Sequence, residues 1–255
     1  MVRIVWPLAV LPAAACWAPR ADTAPSHFAA ATWGNAFAVQ LQRPEQLALE
    51  ATALATALVL PEYDRRLNQE STENTPITEG STANGDGVAI GLGVLATGWS
   101  AGRWIGGDRG RDAEVLLESV VIVDGITEAI KHTARRRRPA DDARDSFPSG
   151  HTSFAFTMAT FLQRSWCADH EGFADALGYL AYAPALYVGI DRSEANRHWP
   201  TDIAAGAFLG ILFTNVVFDA HYGEPGRPGL FGVRGLALEP GVRDDGAEVA
   251  LTLRF

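Results

Sequence analysis

Apolar side chains recur at helical spacing along most of this chain, and strand-type alternation appears only near its end. The helical stretches that we identify are 46–60, 87–100, 111–132, 149–166, 172–190 and 200–218. A period near 3.6 residues is typical of helices with one buried face. We therefore predict an all-α fold, a compact bundle of about six helices, with a kink at Pro184 in the fifth.

The last part of the chain follows a different pattern. Residues 233–238 and 247–255 alternate between apolar and polar side chains, and Asp244, Asp245 and Gly246 form a turn signal between them. We predict a short C-terminal β-hairpin, or an extended tail, laid on the bundle or on a partner. One hairpin cannot close a membrane barrel, which needs about eight strands.

The patterns divide the chain into four segments. They are a secretory signal (1–18), a lead-in (19–43), a helical domain (44–221), and a linker with the hairpin (222–255). The signal has a basic start at Arg3 and a small-residue cleavage site at 13–15. Cys16 follows directly, which makes it a candidate for lipid attachment. We expect an exported protein that is periplasmic or membrane-associated.

The apolar runs are shorter than a membrane-spanning helix requires. Such a helix needs about 20 predominantly apolar residues, and the nearest runs here are 203–218 and 177–190. Hydrophobic residues make up 47% of the chain, and the mean hydropathy is +0.02. We therefore favour a soluble bundle and leave association with a membrane surface open.

Positive charge is local in an acidic protein. The net charge is −9, which argues against general binding to nucleic acid. However, six of the 21 lysines and arginines lie between Lys131 and Arg144. One basic pocket suits a small anionic group better than a polyanion.

A predicted helix start supplies further donors for an anion. Pro148 disfavours helical backbone before it, and Ser149 is a good N-cap residue. The unpaired N–H groups of the new helix then face Ser149 and Gly150, an arrangement that binds anions. His151 adds a titratable donor at the same place.

Two more stretches carry charged residues at fixed spacing. Lys131 is separated by six residues from Arg138, and Arg192 by five from His198, which Asp202 follows after three more. Each piece alone has an ordinary structural explanation. Lys131 could compensate the helix dipole, residues 135–137 could form a solvated basic turn, and His198 could pack in the core.

Taken in order, the stretches K-x6-RP, PSGH and R-x5-H-x3-D resemble the signature of the type 2 phosphatidic acid phosphatase superfamily. The resemblance covers about residues 88 to 219. It implies metal-independent hydrolysis of a phosphate monoester through a phosphohistidine, with no cofactor. His198 would be the nucleophile, Asp202 would accept its other ring N–H, and His151 would be the acid and base. The phosphate-binding residues would be Lys131, Arg138, Ser149, Gly150 and Arg192.

The chain departs from this signature at one position. Asp191 stands where the family usually has a serine beside the arginine. Pointing into the pocket, its carboxylate would repel phosphate. Pointing away, it would hold Arg192 from behind, and we favour this orientation because an inward charge would oppose the three cations.

The family also contains vanadium haloperoxidases, so vanadate is expected either as an inhibitor or, in that alternative, as a cofactor. A third reading is a non-enzymatic envelope protein that docks by its C-terminal hairpin. For the favoured reading, the substrate is a phosphorylated lipid or a small phosphomonoester. The pattern leaves its identity and the oligomeric state open.

Overall fold

The computed structural model describes residues 30–40, 43–73, 82–108, 110–168, 170, 173–222, 235–243 and 246–254. Up to Tyr222 these residues form nine α-helices: α1 (Ala30–Gln40), α2 (Pro44–Val59), α3 (Asp64–Glu73), α4 (Thr82–Arg103), α5 (Arg111–Ala134), α6 (Gly150–Cys167), α7 (Phe173–Gly178), α8 (Tyr182–Glu194) and α9 (Pro200–Tyr222). Short helical turns occupy Leu60–Glu62, Trp104–Asp108 and Tyr179–Ala181. The all-α prediction is confirmed.

The helix count differs from the predicted six for physical reasons. Helix α1 lies in the predicted lead-in, and α3 lies in a polar stretch that has no apolar period. The buried residues of α3 are Asp64 and Asn68, so polar groups attach it to the bundle. The stretch 172–190 is broken at Tyr179–Ala181 rather than kinked at Pro184, which lies in the first turn of α8, where proline is tolerated.

Two segments of the sequence-based prediction fall largely outside the described residues. The backbones of β1 (Gly235–Arg243) and β2 (Gly246–Arg254) pair antiparallel, with Gly235 opposite Arg254. The side chains of both strands and the turn between them are outside the described part, so a hairpin laid on the bundle stays a prediction. Residues 1–29, with the signal and Cys16, are also outside it.

Helices α6 and α9 touch backbone to backbone. A Cβ atom at Gly206 would lie 2.6 Å from the carbonyl oxygen of Ser149, and one at Gly210 would lie 2.6 Å from that of Ser153. Only glycine permits this approach, because any side chain would overlap the facing carbonyl. The contact places the N-termini of α6 and α9 side by side at one end of the bundle.

Two helical stretches are long and apolar enough to cross a membrane, Phe173–Glu194 and Pro200–Tyr222. Neither stretch contains about 20 uninterrupted apolar residues, which is the length that we required in the sequence analysis. They qualify here because their mean hydropathy is high over a helix of sufficient length. The second stretch is 78% buried inside the bundle, as the core helix of a soluble protein is also, whereas the first is 39% buried. Length and composition therefore permit either stretch to insert into a membrane.

Candidate active site

The three charged stretches meet at the end of the bundle where α6 and α9 begin. The backbone N–H of Ser149 donates to the carbonyl oxygen of Asp202 at 2.9 Å, which joins the start of α6 to α9. The ammonium of Lys131, near the end of α5, lies 3.0 Å from the Cβ position of Gly150. Arg192 and His151 meet at a shared carboxylate, described below.

Helix α6 begins where the sequence predicts. Ser149 is its N-cap residue and Gly150 its first residue. The Ser149 hydroxyl is buried and lies 2.9 Å from the Thr152 hydroxyl instead of capping a backbone N–H. The first N–H groups of α6 therefore keep their capacity to bind an anion beside Lys131.

His198 is held in one tautomer by a backbone group. Its Nδ1 atom lies 2.8 Å from the carbonyl oxygen of Ser146, and the ring is 4% exposed. Because a carbonyl oxygen can only accept, Nδ1 is the donor, and in the neutral ring the lone pair is on Nε2. That is the form of imidazole that a nucleophile requires.

Asp202 does not make the predicted bond to His198. Its Oδ2 atom is 3.9 Å from Nδ1, beyond hydrogen-bond range. The carboxylate instead accepts from the Ser146 hydroxyl at 2.5 Å and from the N–H of Trp199 at 2.9 Å. Asp202 thus fixes the two segments that carry His198 and its carbonyl partner.

Arg136 is bound to buried acids, so the prediction that residues 135–137 could form a solvated basic turn is wrong for this residue. Its guanidinium donates to Asp202 at 2.6 Å and to Asp64 of α3 at 2.5 Å. Asp64 also accepts from the N–H of Thr201 at 3.1 Å. Arg136 therefore ties α3, the loop after α5 and the start of α9 together, whereas its neighbour Arg137 has a side chain that is 64% exposed.

Asp191, the departure from the family signature, is completely buried behind Arg192. Its Oδ2 atom is 2.9 Å from Nη2 of Arg192, and its Oδ1 atom accepts from the N–H of Gly85 at 3.3 Å. A side chain at position 85 would overlap this carboxylate. The arrangement agrees with the outward orientation, in which Asp191 supports the guanidinium.

Asp86 of α4 is a second carboxylate at this end, and sequence reasoning missed it. Its Oδ1 atom is 2.8 Å from Nη2 of Arg192 and 3.1 Å from Nε2 of His151. It bridges Arg192, a predicted phosphate-binding residue, and His151, the predicted acid and base. No spacing rule connects position 86 to positions 151 and 192, so only the fold reveals it.

Each predicted phosphate-binding cation has a carboxylate partner. Lys131 is 2.6 Å from Glu128, and Arg138 is 2.8 Å from Asp145. Arg192 contacts both Asp86 and Asp191. Asp86 has a side chain that is 45% exposed, so phosphate oxygens can replace its carboxylate at Arg192.

His151 is half exposed and has a shifted pKa. Burial lowers the pKa of His151 below its usual value, and the positive charge of Arg192 lowers it further, with smaller effects from His198 and Lys131. The carboxylate of Asp86 acts in the opposite direction. Asp86 is thus the acidic group that favours the protonated imidazolium.

Comparison with curated proteins finds short matching stretches. The chain is 36% identical over 93 residues to a lipid A 1-phosphatase of Porphyromonas gingivalis, covering 36% of this chain and 20% of the relative. It is 33% identical over 84 residues to a probable diacylglycerol pyrophosphate phosphatase of Schizosaccharomyces pombe, covering 30% of each protein. The matches thus span less than a third of these relatives' lengths.

Comparison with solved structures supports the fold. A transmembrane PAP2 type phosphatidylglycerolphosphate phosphatase from Bacillus subtilis superimposes with a TM-score of 0.52 and 21% identity. The match covers 68% of this chain and 93% of that one. The family model described as PAP2 superfamily matches residues 113–224, which include all eight site residues predicted from the sequence. Residues 113–224 of the chain are therefore similar to the PAP2 superfamily.

Proposed function

We propose that this protein is a metal-independent phosphatase that hydrolyses the phosphate monoester of a lipid through a phosphohistidine intermediate. The observation that carries the proposal is the bond between Nδ1 of His198 and the Ser146 carbonyl oxygen, 2.8 Å long. It leaves Nε2 as the nucleophilic atom at the end of the bundle where the cations gather. The family and the names of the relatives support the same reaction class.

In the first step, Nε2 of His198 attacks phosphorus, and the bond from phosphorus to the ester oxygen breaks. His151 donates its proton to the departing alkoxide. In the second step, neutral His151 takes a proton from water, and the resulting hydroxide attacks the phosphorus of the phosphohistidine. The P–N bond breaks, inorganic phosphate leaves, and His198 and protonated His151 are restored.

Positive charge lowers the barrier of both steps. The transferring phosphoryl group carries negative charge on its three outer oxygens, and fixed donors around them stabilise it. Lys131, Arg138 and Arg192 supply this charge, with the N–H groups at the start of α6. Their carboxylate partners hold the side chains in place until phosphate arrives.

A lipid substrate is supported by exposed apolar side chains on and near α4 and α8, the helices that carry Asp86 and Arg192. Exposed apolar side chains follow α4 and the α7–α8 region: Ile90 (65% exposed), Val94 (68%), Leu95 (57%), Leu177 (43%), Leu180 (66%) and Leu186 (50%). Such a surface is suited to contact acyl chains. We therefore propose membrane association and, from the apolar N-terminal sequence, export to the periplasm.

A substrate panel tests the proposal. Purified protein is assayed on p-nitrophenyl phosphate, phosphatidic acid and phosphatidylglycerophosphate, with and without EDTA and vanadate. We expect hydrolysis that survives EDTA and is blocked by vanadate, because amino-acid cations supply the charge stabilisation. Loss of activity on chelation, with recovery on adding a divalent ion, would contradict the mechanism. Halide oxidation with vanadate and peroxide would support the haloperoxidase alternative instead.

The change Asp86→Asn is expected to tighten inhibition by phosphate about tenfold or more, equivalent to ~1.4 kcal/mol. The reason is that phosphate would no longer compete with a carboxylate for Arg192 and His151. Asp142→Asn is a suitable control, because Asp142 has a side chain that is 92% exposed and pairs with Arg137. Unchanged or weaker inhibition would show that Asp86 does not occupy the phosphate position.

The same variant should also change the pH profile. His151 must be protonated to act as the acid, so activity falls as the pH rises through its pKa. Asp86 raises that pKa, and its removal lowers it. The alkaline limb of kcat/KM, which reports the free enzyme, is therefore expected at lower pH in Asp86→Asn. A shift to higher pH would contradict the role assigned to His151.

A further inference from the structure

A second group of charged residues lies beside the proposed phosphate site. A surface cleft there is lined by Glu128, Lys131, His132, Arg135, Arg144 and Asp145. Lys131 belongs to both places, since its ammonium also lies against Gly150 at the start of α6. A group bound in the cleft would therefore be a direct neighbour of a phosphate bound at α6.

The arginines of the cleft differ from the cations of the phosphate site. Lys131, Arg138 and Arg192 are each paired with a carboxylate, as described above. For Arg135 and Arg144, by contrast, the described part of the chain contains no ion pair with an acid, and both are exposed. The contact recorded for the Arg135 guanidinium is a long bond of 3.4 Å to the carbonyl oxygen of His132. Two guanidinium groups are thus available to an anionic ligand.

The backbone fixes the position of Arg135. This residue is the C-cap of α5 and has left-handed backbone angles, φ 45° and ψ 39°. Residues other than glycine rarely adopt this conformation. Here it ends α5 four residues after Lys131 and turns the chain, so that Arg135 lines the same cleft as Arg144.

We propose that this cleft binds a second anionic group of the substrate, next to the phosphate that is cleaved. The inference rests on the proposed phosphatase function and narrows its substrate class to compounds with two neighbouring anionic groups, such as alkyl diphosphates. In these the oxygen that leaves phosphorus, and that His151 protonates, belongs to the second phosphate group rather than to an alcohol. Guanidinium groups suit this role because their forked donors match phosphate oxygens. The carboxylates of Glu128 and Asp145 are neutralised by Lys131 and Arg138, so they oppose a second anion only weakly.

The test compares the double variant Arg135→Gln, Arg144→Gln with wild type. Turnover is measured on p-nitrophenyl phosphate, on a short-chain alkyl diphosphate and on a long-chain isoprenyl diphosphate in detergent. We expect kcat/KM to fall at least tenfold for both diphosphates, mainly through KM, and to stay within twofold for p-nitrophenyl phosphate. A tenfold loss confined to the long-chain compound would instead assign the cleft to the lipid interface and overturn the proposal.

Arg137→Gln is the matched control, because Arg137 is exposed on the same loop, pairs with Asp142 and does not line the cleft. It should change none of these values. An equal loss in this control, or an equal loss on p-nitrophenyl phosphate in the double variant, would show a general charge effect and overturn the proposal.

Binding of inorganic pyrophosphate, measured by calorimetry, separates this inference from the proposed function. Wild type is expected to bind pyrophosphate at least tenfold more tightly than the double variant, with phosphate bound equally by both. This result requires no turnover, so it would stand even if every substrate in the panel remained intact. Equal pyrophosphate affinity in wild type and double variant would refute the second anion site whatever the activity.

Discussion

Replacing His198 by alanine is expected to abolish phosphate release, with a loss of about 10⁴-fold or more, as seen when a covalent nucleophile is removed. Wild type mixed with a labelled substrate and quenched in alkali should retain label on histidine, whereas the variant should not. The expectation follows from the geometry, since Nδ1 is committed to the Ser146 carbonyl oxygen and Nε2 is left to attack.

Two controls make this result specific. His170→Ala alters a histidine that stacks on Trp166, at the far end of α6 from Gly150, and should leave turnover unchanged. His198→Gln keeps more of the buried volume and distinguishes lost chemistry from lost folding, provided that its melting temperature matches wild type. Near-normal turnover in either His198 variant would exclude the phosphohistidine route.

Replacing Arg136 by glutamine is expected to lower the free energy of unfolding by about 3 kcal/mol, the lower end of the range for breaking a buried ion pair. The loss arises because the carboxylates of Asp64 and Asp202 have side chains only 3% and 0% exposed and would lose their shared cation. Activity should fall as well, because Asp202 holds the loop of His198 and Ser146.

Denaturant unfolding of Arg136→Gln beside Arg137→Gln checks this expectation. The two arginines are adjacent in sequence, yet only the first bridges buried acids, so Arg137→Gln should lie within about 0.5 kcal/mol of wild type. Equal stability in both variants would mean that the contacts of Arg136 are not maintained in solution. A third variant, Asp64→Asn, removes one partner of Arg136. Its free energy of unfolding should lie between the values of Arg136→Gln and Arg137→Gln.

The local parts of this site could be predicted from the sequence. The start of α6 at Gly150 and of α9 at Pro200 follow from signals within a few residues, namely Ser149 and the prolines at 148 and 200. The candidate site residues at positions 131, 138, 151, 192 and 198 were also identified from their local spacing in the sequence. The structure brings the three stretches to one end of the bundle, as their charge suggests.

The supporting contacts could not be predicted, because they link distant positions or backbone groups. Arg136 meets Asp64 across 72 positions, and the acceptor for His198 is a carbonyl oxygen, which every residue has. The family resemblance implied a direct bond between His198 and Asp202, yet the Asp202 carboxylate accepts from the Ser146 hydroxyl and from the N–H of Trp199. Asp86 was missed because its partners lie on α6 and α8.

The glycine contact between α6 and α9 divides the pocket into two halves that can change at different rates during evolution. His151 lies in the first turn of α6, and His198 lies two residues before α9. The backbones of these two helices meet at Gly206 and Gly210, where any side chain would overlap a facing carbonyl oxygen, so substitutions there are not tolerated. The opposite half of the pocket comes from α4, where Asp86 projects from a helix with no such restraint on that residue. New substrate preferences would therefore arise through α4 and the cleft arginines, while the distance between the two histidines stays constant.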